Sequence, residues 1–109
     1  MGGWRSLEIR EGFEDGDDVV RLTLAGELDL ASVEALAARL EELRRSGYHV
    51  RLDLARLEFM DSSGLGQLVN AVSASRQNGW RLELLRDLTD PVKRVIELTG
   101  TAALFWPDE

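Results

Sequence analysis

Apolar positions change their period several times along this chain, and each change predicts an element boundary. In "WRSLEIR" and "DVVRLTLAG" apolar residues alternate or run together with β-branched ones, which predicts two strands. The intervening "EGFEDGDD" is rich in Gly and Asp, so the pair is expected to form a hairpin. The period becomes helical in "LDLASVEALAARLEELRRSG", where Val33, Leu36, Ala37, Leu40 and Leu43 share one face and Gly47 stands at a C-cap position. Asp29 or Ser32 is placed to cap its start, and Glu34, Glu41 and Glu42 are balanced by Arg44 and Arg45 near its end.

Strand character resumes in "HVRLDLARLEF", with Val50, Leu52 and Leu54 on one face. The spacing predicts that this strand ends near Leu54 and that a short connection carries Leu57 and Phe59 into the core. "GLGQLVNAVSASRQNG" is helical, with Leu65, Leu68, Val69 and Val72 as its buried stripe and Gly79 as its stop. "WRLELLRD" reads as a further strand. Pro91 suits the first turn of a last helix, "DPVKRVIELTG", whose apolar face is Val92, Val95 and Ile96 with Leu98 at its margin. "ALFW" is a candidate final strand before the polar tail.

The resulting order is β-β-α-β-α-β-α. Strands joined through single helices make parallel crossovers, and the first hairpin adds an antiparallel edge. The expected fold class is therefore α/β: one domain over residues 1–109, with a mixed, mostly parallel sheet flanked by helices.

Charge and composition narrow the function classes. A chain of 109 residues with a formal net charge of -7 lacks the basic stripe of a nucleic-acid reader and the Lys/Arg clusters that dock on anionic lipid. With no cysteine there is no disulfide, thiolate catalysis or Cys-ligated zinc. The segment "MGGWRSLEIR" has no apolar signal-peptide core, and no stretch approaches the roughly 20 apolar residues that span a bilayer. Gly2 and Ser6 formally fit an N-myristoylation pattern, with no second anchoring signal beside them. The expectation is a cytoplasmic protein that binds neither nucleic acid nor membrane.

Chemistry concentrates at one junction, "FMDSSGLGQL", where an acid, two serines and two glycines meet the start of the second long helix. A helix amino terminus presents free N–H groups and partial positive charge, and loops beyond strand carboxyl ends gather functional groups. A single cap, worth about 1 kcal/mol, needs only one of these residues. Each glycine costs about 1 kcal/mol against alanine in a helix, so Gly64 and Gly66 need a reason. One is close packing on a neighbouring strand; the other is room for a second molecule.

Enzymatic readings are weaker. His49 stands at the start of its strand and the serines lie past its end, which separates a base from a nucleophile. "MDSSG" does not match the Gly-x-Ser-x-Gly elbow, and "GLGQLV" has no P-loop lysine. "EDGDD" lacks EF-hand spacing and reads as a solvated turn, so no metal or cofactor is expected. Trp4, Trp80 and Trp106 read as core or sheet-edge packing, Trp106 also as an exposed contact.

The stretch "LDLARLEFMDSSGLGQLV" resembles the core motif of STAS domains, specifically the stand-alone anti-sigma factor antagonists. "LTLAGELDLASVEAL" resembles the second signature of that family, and "GWRLELLRDLTDPVKRVIELTGTAALF" its carboxyl third. The resemblance implies the STAS fold, no catalytic activity, and a phosphate acceptor at Ser63. It further implies a partner-binding surface of Glu27, Leu28, Asp29, Asp61, Ser62, Ser63, Gly64, Leu65 and Gly66. The implied partner is an anti-sigma factor with serine kinase activity, which itself binds ATP; phosphorylation releases it, and a phosphatase resets the switch. The alternative within the family is a non-catalytic STAS subunit of a lipid-transport, transporter or stress-signalling complex.

Overall fold

The computed structural model describes residues 6–14, 16 and 18–107. The first residues of the expected opening strand, including Trp4, lie outside them, as do Asp15, Asp17 and the last two residues of the tail. In chain order the elements are β1 (Glu8–Glu14), β2 (Val19–Leu28), α1 (Val33–Arg45), β3 (His49–Met60), α2 (Ser62–Gln77), β4 (Leu82–Leu84), α3 (Asp90–Thr99) and α4 (Ala102–Phe105). The sheet order is β1-β2-β3-β4. β1 runs antiparallel to β2, from Glu8 opposite Ala25 to Glu14 opposite Val19. The β2–β3 and β3–β4 pairs are parallel, joined through α1 and α2. The fold is thus the expected mixed α/β sheet with an antiparallel amino-terminal hairpin.

One core holds these elements together. Leu22, Leu24, Leu52 and Leu54 from the central strands are fully buried, against Leu36 and Leu40 of α1, Leu68 and Val72 of α2, and Val92 and Ile96 of α3. Burying a leucine stabilises by about 1.5–3 kcal/mol, more than a helix cap contributes. Helix α1 depends on that difference: Ser32 occupies its N-cap position without a side-chain cap bond, and Leu36, Leu40 and Leu43 anchor it instead.

β3 runs six residues beyond the expected end at Leu54, because it carries two extra residues relative to β2. Thr23 lies opposite Asp53, Ala25 opposite Arg56, Gly26 opposite Leu57, and Glu27 opposite Phe59, with a register shift at each of two places. An extra residue in one strand bends it and resets which side chain faces inward. The buried positions then fall at Leu54, Leu57 and Met60, a spacing of three rather than two. Leu57 is buried as expected, whereas Phe59 points outward and is 44% exposed.

The carboxyl third departs from expectation in three places. β4 is only three residues long, although the backbone N–H of Leu85 still donates to the Leu52 carbonyl at 2.9 Å. Leu98 stands two residues, over half a turn, from buried Ile96 and is 79% exposed, so it is not part of the apolar face. "ALFW" forms α4 rather than a strand, and Phe105 is buried. Arg81 and Leu85 bond to β3, so the Leu84 carbonyl between them points to the outer edge. There it accepts from Trp106 Nε1 at 2.7 Å, a side-chain donor where a fifth strand would have supplied a backbone one.

Candidate functional site

The strand-to-helix junction is built by Asp61. Its extended backbone (φ -98°, ψ -174°) ends β3, and its carboxylate Oδ1 accepts from the backbone N–H of Gly64 at 2.9 Å. Leu65 N–H donates to the Asp61 carbonyl at 2.9 Å and starts α2. Asp61 alone therefore caps the helix, and neither serine hydroxyl is used for it. Ser62 is exposed and Ser63 half-buried on the first turn. The helix dipole makes this turn favourable for negative charge.

The two glycines serve different ends. A β-carbon on Gly64 would stand 2.4 Å from the Leu28 carbonyl oxygen, 2.9 Å from Leu28 Cγ and 3.0 Å from Met60 Cγ. The space expected there for a second molecule is filled by the protein's own β2 end. A β-carbon on Gly66 would meet nothing within 4 Å, so inward packing does not account for that glycine.

The loop leaving β2 lies directly alongside. Asp61 N–H donates to the Leu28 carbonyl at 3.2 Å, stitching the helix start to the strand end. Ser32 Oγ donates to the Glu27 carbonyl at 3.1 Å and accepts from Asp29 N–H at 3.0 Å. Asp29 Oδ1 accepts from Ala31 N–H at 3.1 Å, and the Asp29 carbonyl accepts from the N–H groups of Ser32 and Val33, both at 3.0 Å. The loop is held in one shape by its own side chains before any partner arrives.

The structure thus brings Glu27, Leu28 and Asp29 beside Asp61, Ser62, Ser63, Gly64, Leu65 and Gly66. Leu28, Gly64 and Leu65 are buried and support the surface from beneath; the other six residues reach solvent. Segments 27–32 and 57–66 carry four acids (Glu27, Asp29, Glu58 and Asp61) and no Lys or Arg. Sequence reasoning missed two exposed apolar side chains here, Leu30 at 75% and Phe59 at 44%. Leu30 had a signal, falling between the turn-forming Asp29 and Ser32, whereas Phe59 had none, because the register shift that turns it outward leaves no mark of its own in the sequence.

His49 is remote from this junction. It opens the twelve-residue β3, and the serines follow the far end of that strand, roughly 35 Å away. Its Nδ1 accepts from the Arg81 backbone N–H at 3.2 Å. Among the described residues no group of acids and histidines is arranged to hold a metal ion. No helix among them is long and apolar enough to cross a membrane.

Fold and junction define a small α/β domain whose distinctive surface is a serine-bearing helix start locked to a neighbouring loop. Residues 12–105 match the family model described as "Mlab, STAS domain". The chain is 34% identical over 94 residues to an anti-sigma-B factor antagonist of Staphylococcus epidermidis, covering 85% of this chain and 86% of that one. It is 35% identical over 101 residues to the anti-sigma-B factor antagonist of Listeria monocytogenes, covering 92% and 85%. Among solved structures it is similar to the anti-sigma factor antagonist SpoIIAA in its unphosphorylated form, with a TM-score of 0.70, 25% identity, and 85% and 81% of the two chains covered. The chain belongs to the STAS domain family, among the anti-sigma factor antagonists.

Proposed function

We propose that this chain is a cytoplasmic, single-domain anti-sigma factor antagonist switched by phosphorylation of Ser63. Unphosphorylated, it binds an anti-sigma factor with serine kinase activity and so frees the sigma factor. The observation that carries this reading is the position of Ser63. It lies on the first turn of α2 with the cap already supplied by Asp61, beside a loop tied to that cap through the Leu28 carbonyl.

The chemistry is supplied by the partner, which binds the ATP. Ser63 Oγ attacks the γ-phosphorus, its proton passes to a base of the kinase, and ADP leaves. A phosphatase then delivers water to the phosphoserine, returning the hydroxyl and inorganic phosphate. This chain contributes a nucleophile held at a fixed place and no catalytic group of its own.

Phosphorylation adds about -1.5 to -2 charges at neutral pH. At a helix amino terminus that charge is favoured within the domain, so the fold itself is left intact. In the complex the same charge faces the phosphates of the bound nucleotide and the acids of segments 27–32 and 57–66. Repulsion and desolvation there weaken docking, and a loss of about 3 kcal/mol is over a hundredfold in affinity. The switch is one of docking rather than refolding.

The test is a pull-down from lysate of the source cells with the unchanged chain, Ser63→Ala and Ser63→Asp as baits, read by mass spectrometry. Retention of an ATP-binding anti-sigma factor by the first two baits and its loss from the third supports the reading. If all three baits hold the same transporter or scaffold proteins, the chain is a constitutive STAS subunit.

A further inference from the structure

The loop beside Ser63 displays a leucine that the fold does not need. Leu30 is 75% exposed, whereas its predecessor at the strand end, Leu28, is fully buried. An exposed leucine alone means little. Here the surrounding backbone is fixed: the N–H groups of Asp29, Ala31, Ser32 and Val33 are all bonded within the loop. A side chain on a pre-ordered loop loses less conformational entropy on binding, which is what an interface anchor requires. Phe59, also exposed, lies opposite Glu27 across the β2–β3 pairing. Two of the four exposed large apolar residues among those described therefore fall at one end of the sheet, the end that carries Ser63.

Resting on the function proposed above, we infer that Leu30 is an anchor for the anti-sigma factor and determines which partner is accepted. Its occupant is an apolar socket on that protein, rimmed by basic side chains. Glu27 and Asp29 precede Leu30 on the same segment, and no Lys or Arg lies in either segment of the surface, so a rim of the opposite sign is the complementary one. Ser63 sits on the adjoining helix start, so the socket is separate from the nucleotide whose phosphates meet the phosphoserine. Leu30 gives grip and the acids give steering, and the two are separable by experiment. Apolar anchors act mainly on the off-rate, whereas peripheral charges act on the on-rate and its salt dependence.

The experiment uses the anti-sigma factor identified by the pull-down, purified, with binding kinetics measured at low and high salt. Leu30→Ser is expected to raise the off-rate at least tenfold, with melting temperature and salt dependence unchanged. Leu30→Met, which keeps the apolar contact, should bind within about threefold of the unchanged chain. Phe13→Ser is the control, since Phe13 is 61% exposed but pairs with Val20, eight residues along β2 from Leu28 and about 25 Å away. It should bind as the unchanged chain does. If Leu30→Ser binds within twofold of the unchanged chain while Ser63→Asp still abolishes binding, the anchor is overturned and the switch survives. If the unchanged chain retains no ATP-binding anti-sigma factor, the switch falls and the anchor falls with it.

Discussion

Gly64 and Leu28 approach so closely that a single added carbon on Gly64 would lie 2.4 Å from the Leu28 carbonyl oxygen. That oxygen is the one that accepts from the Asp61 N–H, so the clash would fall on the stitch between β2 and α2. The contact sets the distance between the Ser63 turn and the 27–32 loop.

Gly64→Ala should therefore destabilise despite alanine's better helix propensity. Alanine gains about 1 kcal/mol in a helix, but overpacking against backbone costs about 1–3 kcal/mol and here meets two atoms of Leu28 as well as Met60. A net loss of about 1–2 kcal/mol is expected in urea unfolding. Gly66→Ala meets open space and should stabilise by up to about 1 kcal/mol. Equal effects at the two positions would show that packing on Leu28 is not what selects Gly64.

The same pair shows how far the sequence was legible. The order of strands and helices, the parallel crossovers and the hairpin all follow from apolar period, because α1, α2 and α3 each bury a continuous stripe. Period misled where β3 gains extra residues: the step from Leu52 and Leu54 to Leu57 and Met60 imitates a strand end, and bulges leave no other mark in one sequence. "ALFW" misled because an indole N–H from Trp106 satisfies the Leu84 edge carbonyl, which no propensity anticipates. At the site, residue types were legible and burial was not. Gly64 and Gly66 look alike in sequence, yet only one faces the Leu28 carbonyl.

On the half-exposed sheet face, Arg21 donates to Asp53 Oδ2 from Nη2 at 2.8 Å and from Nε at 3.2 Å. Burial pushes the Asp53 carboxyl upward, but bonds from the Ala55 N–H and Arg21, with the charge of Arg56, outweigh it and hold it below its usual 3.8. A carboxyl depressed in the fold stabilises above its unfolded pKa, and that stability is lost as pH falls through the folded value. Arg21→Met should cost about 1 kcal/mol at pH 6, a charge-assisted bond discounted for the solvent exposure of Arg21. Arg21 Nη1 also donates to Glu14 Oε2 at 3.2 Å and lowers that carboxyl, so the difference from the unchanged chain should shrink as Glu14 and Asp53 both protonate, and urea midpoints from pH 6 to pH 2.5 measure it. A difference that stays constant across that range would assign the loss to packing of the arginine stem.

Phosphorylation at Ser63, or Ser63→Asp, should leave the domain folded while it abolishes docking. The helix dipole offers about 0.3–1 kcal/mol in favour of the added charge, and the neighbouring Asp61, Glu27 and Asp29 oppose it. A change in unfolding free energy within about 0.5 kcal/mol is expected, with amide exchange altered only around 27–32 and 61–66. Widespread loss of protection in the core of α2 would replace the docking switch with a conformational one.

Ser32 is the residue whose removal separates loop order from loop chemistry. Its hydroxyl bridges the Glu27 carbonyl and the Asp29 N–H and also lies 3.2 Å from Asp29 Oδ1. Ser32→Ala removes one net hydrogen bond at each side, and about 1 kcal/mol of stability should go with them. If the loop is a pre-ordered docking element, the variant should also bind the anti-sigma factor several-fold more weakly. Its Leu30 and acidic side chains remain, so the salt dependence should be unchanged. Amide exchange at Asp29 and Ala31 should quicken in the free variant and return to normal in the complex, because the partner then supplies the order that Ser32 no longer does. Binding at full strength with quickened exchange would show instead that partner contacts, not the Ser32 lock, fix the loop.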